Sequence, residues 1–407
     1  KDISGPETRV FDAQGQSVLP GFCEAHLHLF PGAFGMNLLH LEGVQGPDQF
    51  QKKLKAYSNK NPDASLLICK AADYNLFGRG IKTTRQMIDA AVNDRAVILF
   101  AGDHHTAWAN SQALKKAGIL HGKKLPPGSE IVMSEDGTAS GELREVAAYD
   151  IVMGLSKSAG RENLGLSTGM DPDYVSDDER EEDISLLSEG LKYCASFGFT
   201  NLHNMDGNRY QLDLLSTIEK RGNLCCRIEV PFHLTPGKPI SSLSQASAMH
   251  EEFCTNKLRS GRVKMFMDGV IDSGTAVMVD DYADIPGWRG EALHSEERFK
   301  EACIEADKRE LQISVHAIGD GAVRRVLDGY EAAEVANGKR DSRHRIEHIE
   351  VLHPDDLPRL KSLRVVASMQ PPHPPGAMDF PLLPWVSRVG EHRWPWAFPV
   401  QYLREAG

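Results

Sequence analysis

No two cysteines in this chain are spaced as Cys-x-x-Cys, although seven occur: Cys23, Cys69, Cys194, Cys225, Cys226, Cys254 and Cys303. An odd, scattered set argues against a disulfide framework and against a cysteine zinc knuckle. It fits a reducing compartment, so a cytoplasmic location is expected; the opening Lys1, in place of Met, leaves a removed signal peptide open. Apolar runs stop well short of the ~18–20 residues that span a bilayer. Positive charge is in deficit, with 46 Lys and Arg against 57 Asp and Glu and a net charge of -11. Phosphate binding needs a basic face, so neither nucleic acid nor membrane is expected as a partner. No GxGxxG or P-loop fingerprint follows any candidate strand, which weakens a nucleotide-binding open sheet. Internal repeats and low-complexity tracts are missing too.

What remains is a large globular composition: 407 residues, 41% hydrophobic and 25% charged. Short β-rich runs alternate with amphipathic stretches. Candidate strands cover residues 22–28 (led in by 17–19), 96–100, 200–203, 263–267, 312–316, 345–348 and 365–369. Ala322, Val323, Val326, Leu327 and Tyr330 recur at helical spacing after the fifth of these, and Leu357, Leu360 and Leu363 after the sixth. Pro354 suits the first turn of that helix. Ser176 and Glu179 have capping-box spacing, which predicts a helix through Ile184, Leu187, Leu191 and Cys194 to a stop at Gly198. Its acidic first turn, residues 177–183, is a solvated face favoured by the helix dipole. A last helix is expected over 396–406.

Strand-helix alternation implies a parallel sheet. The expected fold is α/β, a (β/α)8 TIM-like barrel over residues 21–407 that lacks its eighth strand because the chain stops after the 396–406 helix. Two insertions, about 30–95 and 101–197, break the rhythm. The second holds a hairpin signal at Asp136-Gly137. Long insertions after barrel strands commonly shape the substrate pocket. Residues 8–19 also read as a hairpin, too early to belong to the barrel.

His26 and His28 lie two apart in an extended run, so both project from one strand face. They read either as ordinary polar histidines or as two imidazoles on one ion. His316 and His348 each end a candidate strand, as core or rim histidines or as further ligands. Lys264 sits inside the apolar run Val263-Lys264-Met265-Phe266-Met267. Burying its charge is costly, so it is either a snorkelling or ion-paired lysine, or a desolvated amine that captures CO2 as a bridging carbamate.

Together these motifs resemble the amidohydrolase superfamily, within it the amidohydrolase-3 (YtcJ-like) branch that includes N-substituted formamide deformylase. The likeness is carried in order by Leu19-Pro20-Gly21-Phe22-Cys23-Glu24-Ala25-His26-Leu27-His28, by His105-Thr106-Ala107-Trp108-Ala109-Asn110 and by Gly141-Glu142-Leu143-Arg144-Glu145. It continues in Gly198-Phe199-Thr200-Asn201-Leu202-His203, Val263-Lys264-Met265-Phe266-Met267-Asp268-Gly269, His316-Ala317-Ile318-Gly319-Asp320 and Arg345-Ile346-Glu347-His348. The resemblance implies a barrel with a small β-sandwich, of which residues 1–20 would be the N-terminal part. It implies one or two divalent ions, zinc foremost, on His26, His28, Lys264 (as a carbamate), His316 and His348. His316 and His348 would also help stabilise a tetrahedral oxyanion.

His105, Trp108, Asn110, His203 and Asp268 are candidates for lining or supporting a substrate pocket. The reaction implied is hydrolysis of a non-peptide C–N bond, of amide or formamide type, in a small molecule by metal-activated water. The family's eighth-strand aspartate, its general base, is not found. This extent of chain alone is therefore expected to be inactive. Two rivals stand beside this reading: a mononuclear deaminase-like hydrolase with an unmodified lysine, and a catalytically inactive barrel kept as a binding protein. Homo-oligomerisation is left open.

Overall fold

The computed structural model describes residues 5–102, 106–125, 129–144, 146–377 and 382–407. Parallel strands follow one another in chain order. Phe22–Leu27 pairs with Phe199–Asn204, which pairs with Arg227–Glu229, and that with Leu258–Arg259. A second parallel sheet runs Phe232–His233, Arg262–Phe266, Gln312–Ala317, Arg345–His348 and Val366–Ser368. The chain itself links the two. Arg227–Glu229 passes into Phe232–His233 across Pro231, which has no N–H for the ladder. Leu258–Arg259 likewise passes into Arg262–Phe266 across Ser260-Gly261. Among the described residues seven strand positions result, all parallel.

Amphipathic helices cover this layer. Asp320–Asn337 buries Ala322, Val323, Val326, Leu327 and Tyr330, as the spacing predicts. Asp177–Ser196 begins with the expected capping box: Ser176 Oγ accepts from the Glu179 amide, and Glu179 Oε2 accepts from the Ser176 amide at 3.0 Å. Its inward face, with Ile184, Leu187 and Leu191, joins the largest apolar core beside Leu202, Val263, Val315 and Ile346. Among the described residues, no helix is long and apolar enough to cross a membrane.

Three expectations change. The strand at 96–100 exists, as Ala96–Ala101, but lies in a separate six-stranded sheet built from the two insertions. Its order is Leu39–His40, Leu66–Ala72, Ala96–Ala101, Thr106–Ala109, Ala139–Arg144 and Glu130–Met133, with the hairpin at Asp136-Gly137 joining the last two. The second position in the parallel layer belongs to Phe199–Asn204 and the third to the split strand 227–233. A strand buried on both faces has no alternation that tells which sheet it enters, and Pro231 hid the third strand.

The early hairpin is the second change. Residues 5–21 contain no strand, and Val10, Phe11, Val18 and Leu19 are exposed. An isolated two-stranded hairpin is marginal in water, and nothing described here covers those apolar side chains. Third, the 396–406 helix is broken. A 3-10 turn, Glu391–Trp396, precedes an extended Ala397, and the α-helix covers only Val400–Ala406, after Pro399. Among the described residues, Phe22–Leu27 and Val366–Ser368 are free edges, and no closed ring of strands is formed.

Candidate metal centre

The first strand delivers His26 from within Phe22–Leu27 and His28 just beyond it, where the next helix starts. His316 comes from Gln312–Ala317 and His348 ends Arg345–His348. Parallel register places Phe266 beside His316 and Ala317 beside His348. The rings converge across the two sheets. Centroids are 5.5 Å apart for His26 and His28, 4.8 Å for His26 and His348, and 4.6 Å for His316 and His348. His348 and Ile349 adopt φ of 81° and 48°, a region costly for side chains with a Cβ, which the packed strand end must sustain.

Each imidazole has one nitrogen engaged. Glu347 Oε2 lies 2.8 Å from His26 Nδ1, Asp206 Oδ1 3.2 Å from His28 Nδ1, Gln370 Oε1 2.6 Å from His348 Nδ1 and the Gly269 carbonyl 3.0 Å from His316 Nε2. The second nitrogen of each ring is then left for a ligand, an arrangement common around bound metals. Burial, with the nearby Lys264, pulls His26 down to about 4 and His316 to about 3; burial and the neighbouring His316 hold His348 well below the ordinary value. These three rings are neutral at pH 7, the form that binds metal.

Lys264 is 1% exposed, and its Nζ has no hydrogen-bond partner among the described residues. It lies 4.7 Å from the Phe266 ring. Burial lowers the amine to about 8. A desolvated amine without a hydrogen-bond partner, close to His26, His316 and His348, fits a divalent-ion site, because carboxylation would turn it into an anionic oxygen ligand. Among the described residues, no three His, Cys, Asp or Glu side chains yet form a ready ligand shell.

The other sequence candidates fall elsewhere. His105 lies outside the described residues. Asn110 is fully buried at a helix start: its Oδ1 accepts from the Val97 and Ala113 amides, and its Nδ2 donates to the Val92 and Arg95 carbonyls. With every side-chain polar atom committed to backbone, it holds the insertion together. Trp108 is 2% exposed, in the core of the same insertion.

Asp268 is a buried clamp, accepting from the Val277, Ile318 and Gly319 amides at 2.9–3.0 Å, with its carboxylate 3.8 Å from His316 Nε2. Burial pushes it up to about 7, against those donors. His203 sits in the strand layer, where Arg345 Nη1 donates to its Nδ1 at 2.9 Å.

Sequence reasoning missed His233, Asp206 and Glu347. His233 is 4% exposed, in register with Lys264, with its Nδ1 3.1 Å from the Gly165 carbonyl. Its signal, a histidine ending a short apolar run at 230–233, was the one that marked His316, but Pro231 masked it. His373 stacks on His348 at 5.2 Å and lies 3.4 Å from Glu350.

The protein LONG AFTER FAR-RED 3 of Arabidopsis thaliana is 30% identical over 384 residues, 92% of this chain and 62% of that protein. N-substituted formamide deformylase of Arthrobacter pascens is 23% identical over 358 residues, 86% of this chain and 61% of the enzyme. This chain thus spans less than two thirds of the length of either relative. An uncharacterized metal-dependent hydrolase from Pyrococcus horikoshii superposes with a TM-score of 0.71 at 22% identity, over 95% of this chain and 69% of its own. The profile of the amidohydrolase family (Amidohydro_3) matches residues 9–407, nearly the whole chain, and the chain belongs to that family.

Proposed function

We propose that this chain is the major part of a metal-dependent hydrolase that cleaves a non-peptide C–N bond, of amide or formamide type, in a small molecule. One observation carries the reading: the His26, His28, His316 and His348 rings converge near a buried lysine whose amine has no hydrogen-bond partner among the described residues. His26, His28, His316 and His348 would hold one or two divalent ions, zinc foremost by its liking for neutral imidazole. When bound, such an ion supplies Lewis acidity, polarising a carbonyl and lowering the pKa of water.

The chain's own groups do the rest. Asp206 and Gln370 orient His28 and His348. Burial keeps His26, His316 and His348 neutral. The Lys264 amine, once neutral, can add CO2 to give a carbamate and release one proton, which places a negative oxygen ligand where the structure holds an orphan cation. Within this reading the parallel layer is part of a (β/α)8 barrel, and residues 1–20 belong to a small β-sandwich. The similarity to N-substituted formamide deformylase supports the bond type. The seven free cysteines support a reducing, cytoplasmic location.

The test pairs metal analysis of the intact, full-length protein with a screen of N-formyl, N-acyl and cyclic amide compounds. Bound divalent metal and release of an amine or carboxylate are expected. Metal at no more than trace level after zinc loading would remove the reading in favour of a binding protein. Growth on carbon-13-labelled bicarbonate should give a carbamate resonance; its absence, with one ion per chain, would favour the mononuclear alternative.

A further inference from the structure

Directly beneath the histidine cluster lies an ion pair with no place in the reaction itself. Glu347 is fully buried and accepts four hydrogen bonds: from His26 Nδ1 at 2.8 Å, Ser314 Oγ at 2.5 Å, and Arg345 Nε and Nη2 at 2.7 and 3.0 Å. Arg345, 4% exposed, reaches further. Its Nη2 donates to the Ala25 carbonyl at 2.8 Å and to Ser368 Oγ at 2.7 Å, and its Nη1 to His203 Nδ1. Residues from five strands meet in this knot.

An ionised carboxylate only accepts hydrogen bonds. Its contact with His26 Nδ1 therefore requires the ring proton to be there. A neutral imidazole carries a single ring proton, so the Nε2 lone pair is left bare. The bidentate guanidinium fork fixes the carboxylate in position and balances its charge, so Glu347 has little tendency to take that proton. Arg345 also grips the backbone of Ala25, one residue before His26, so ring and strand are held by the same group.

We infer that Glu347, held by Arg345, is a positioning residue that locks His26 as the Nδ1–H tautomer and presents its Nε2 to the ion. The inference rests on the metal reading above for what the lock serves, while the lock itself can be read without metal.

The experiment uses the whole chain, metal-free and labelled with nitrogen-15 at histidine. A long-range nitrogen–proton correlation reads each tautomer, with His26→Gln identifying the His26 signals. Nδ1–H is expected at His26. In Glu347→Gln that single state should be lost, and zinc affinity, measured against a chromophoric chelator, should fall about 10- to 100-fold.

Nε2–H at His26 in the wild type overturns the inference. A folded Glu347→Gln with unchanged zinc affinity does so as well, leaving the pair a structural tie. Should that variant not fold, Ser314→Ala removes one of the four donors: affinity several-fold weaker supports the lock, and unchanged affinity overturns it. A wild type that binds no zinc but shows Nδ1–H at His26 removes the metal reading and leaves the lock standing.

Discussion

Lys264 carries a cost that folding alone does not repay. A buried amine without a hydrogen bond loses roughly 1–3 kcal/mol of hydration with no return, and Lys264 Nζ is such a group. Replacing it by methionine, similar in length and apolar, should leave stability unchanged or raise it. The same change should abolish carbamate formation and lower bound metal. Thermal unfolding and metal content of Lys264→Met check both halves; a large fall in Tm would instead make the lysine a structural ion-pair member.

His294 poses the same question away from the cluster. It is 2% exposed, and neither ring nitrogen has a partner among the described residues. Burial, with Arg298 nearby, lowers it to about 4. Between about 6.5 and 4 the unfolded chain binds the proton and the folded one does not. Stability from this residue is complete above pH 6.5 and drains as pH falls toward 4, by about 1.4 kcal/mol per unit. His294→Leu should therefore resist acid better, by about 2 kcal/mol at pH 5 relative to pH 7.5. Urea midpoints for the two proteins at both pH values measure it, and equal shifts would refute it.

At the scale of elements, legibility followed local chemistry. The capping box at Ser176 and the helical spacing after residue 320 were readable because helix starts and faces are written in adjacent turns. Ser176→Ala should cost roughly 0.5–2 kcal/mol, seen as a lower Tm with no change in zinc affinity, since the cap touches only its own helix. Ala96–Ala101 was readable as a strand but not by address. Its residues are buried on both faces, and such a run carries no mark of the sheet it joins. The third strand of the parallel layer was illegible because Pro231 splits it into segments of three and two residues.

The site divides in the same way. His316 and His348 were legible as histidines at strand ends, His26 and His28 as a pair two apart, and Lys264 as a lysine inside an apolar run. Glu347 was not, since its contact with His26 bridges 321 positions and only the fold brings the two together. Asn110 shows how burial recasts a motif residue. Its place in a recognisable motif suggested a pocket, whereas its four backbone hydrogen bonds show a structural cap.

In the whole molecule, the insertions have a core of their own. Leu67, Leu99 and Trp108 lie in one apolar cluster on the six-stranded sheet, and Ile68, Ile98 and Leu143 in another on its opposite face. Among the described residues, neither shares a buried residue with the large core of the parallel layer. Cooperative units tend to follow such divisions, because opening one leaves the other's contacts intact. Leu99 is fully buried, so Leu99→Ala should cost about 2–5 kcal/mol. The loss should stay local. Amide exchange is expected to quicken in Leu66–Ala72 and Ala96–Ala101, while Gln312–Ala317 and Arg345–His348 keep their protection and zinc affinity holds. If exchange quickened equally in both sheets, the insertions and the ligand-bearing strands would form one cooperative unit, and the pocket could not be reshaped without loosening the site beneath it.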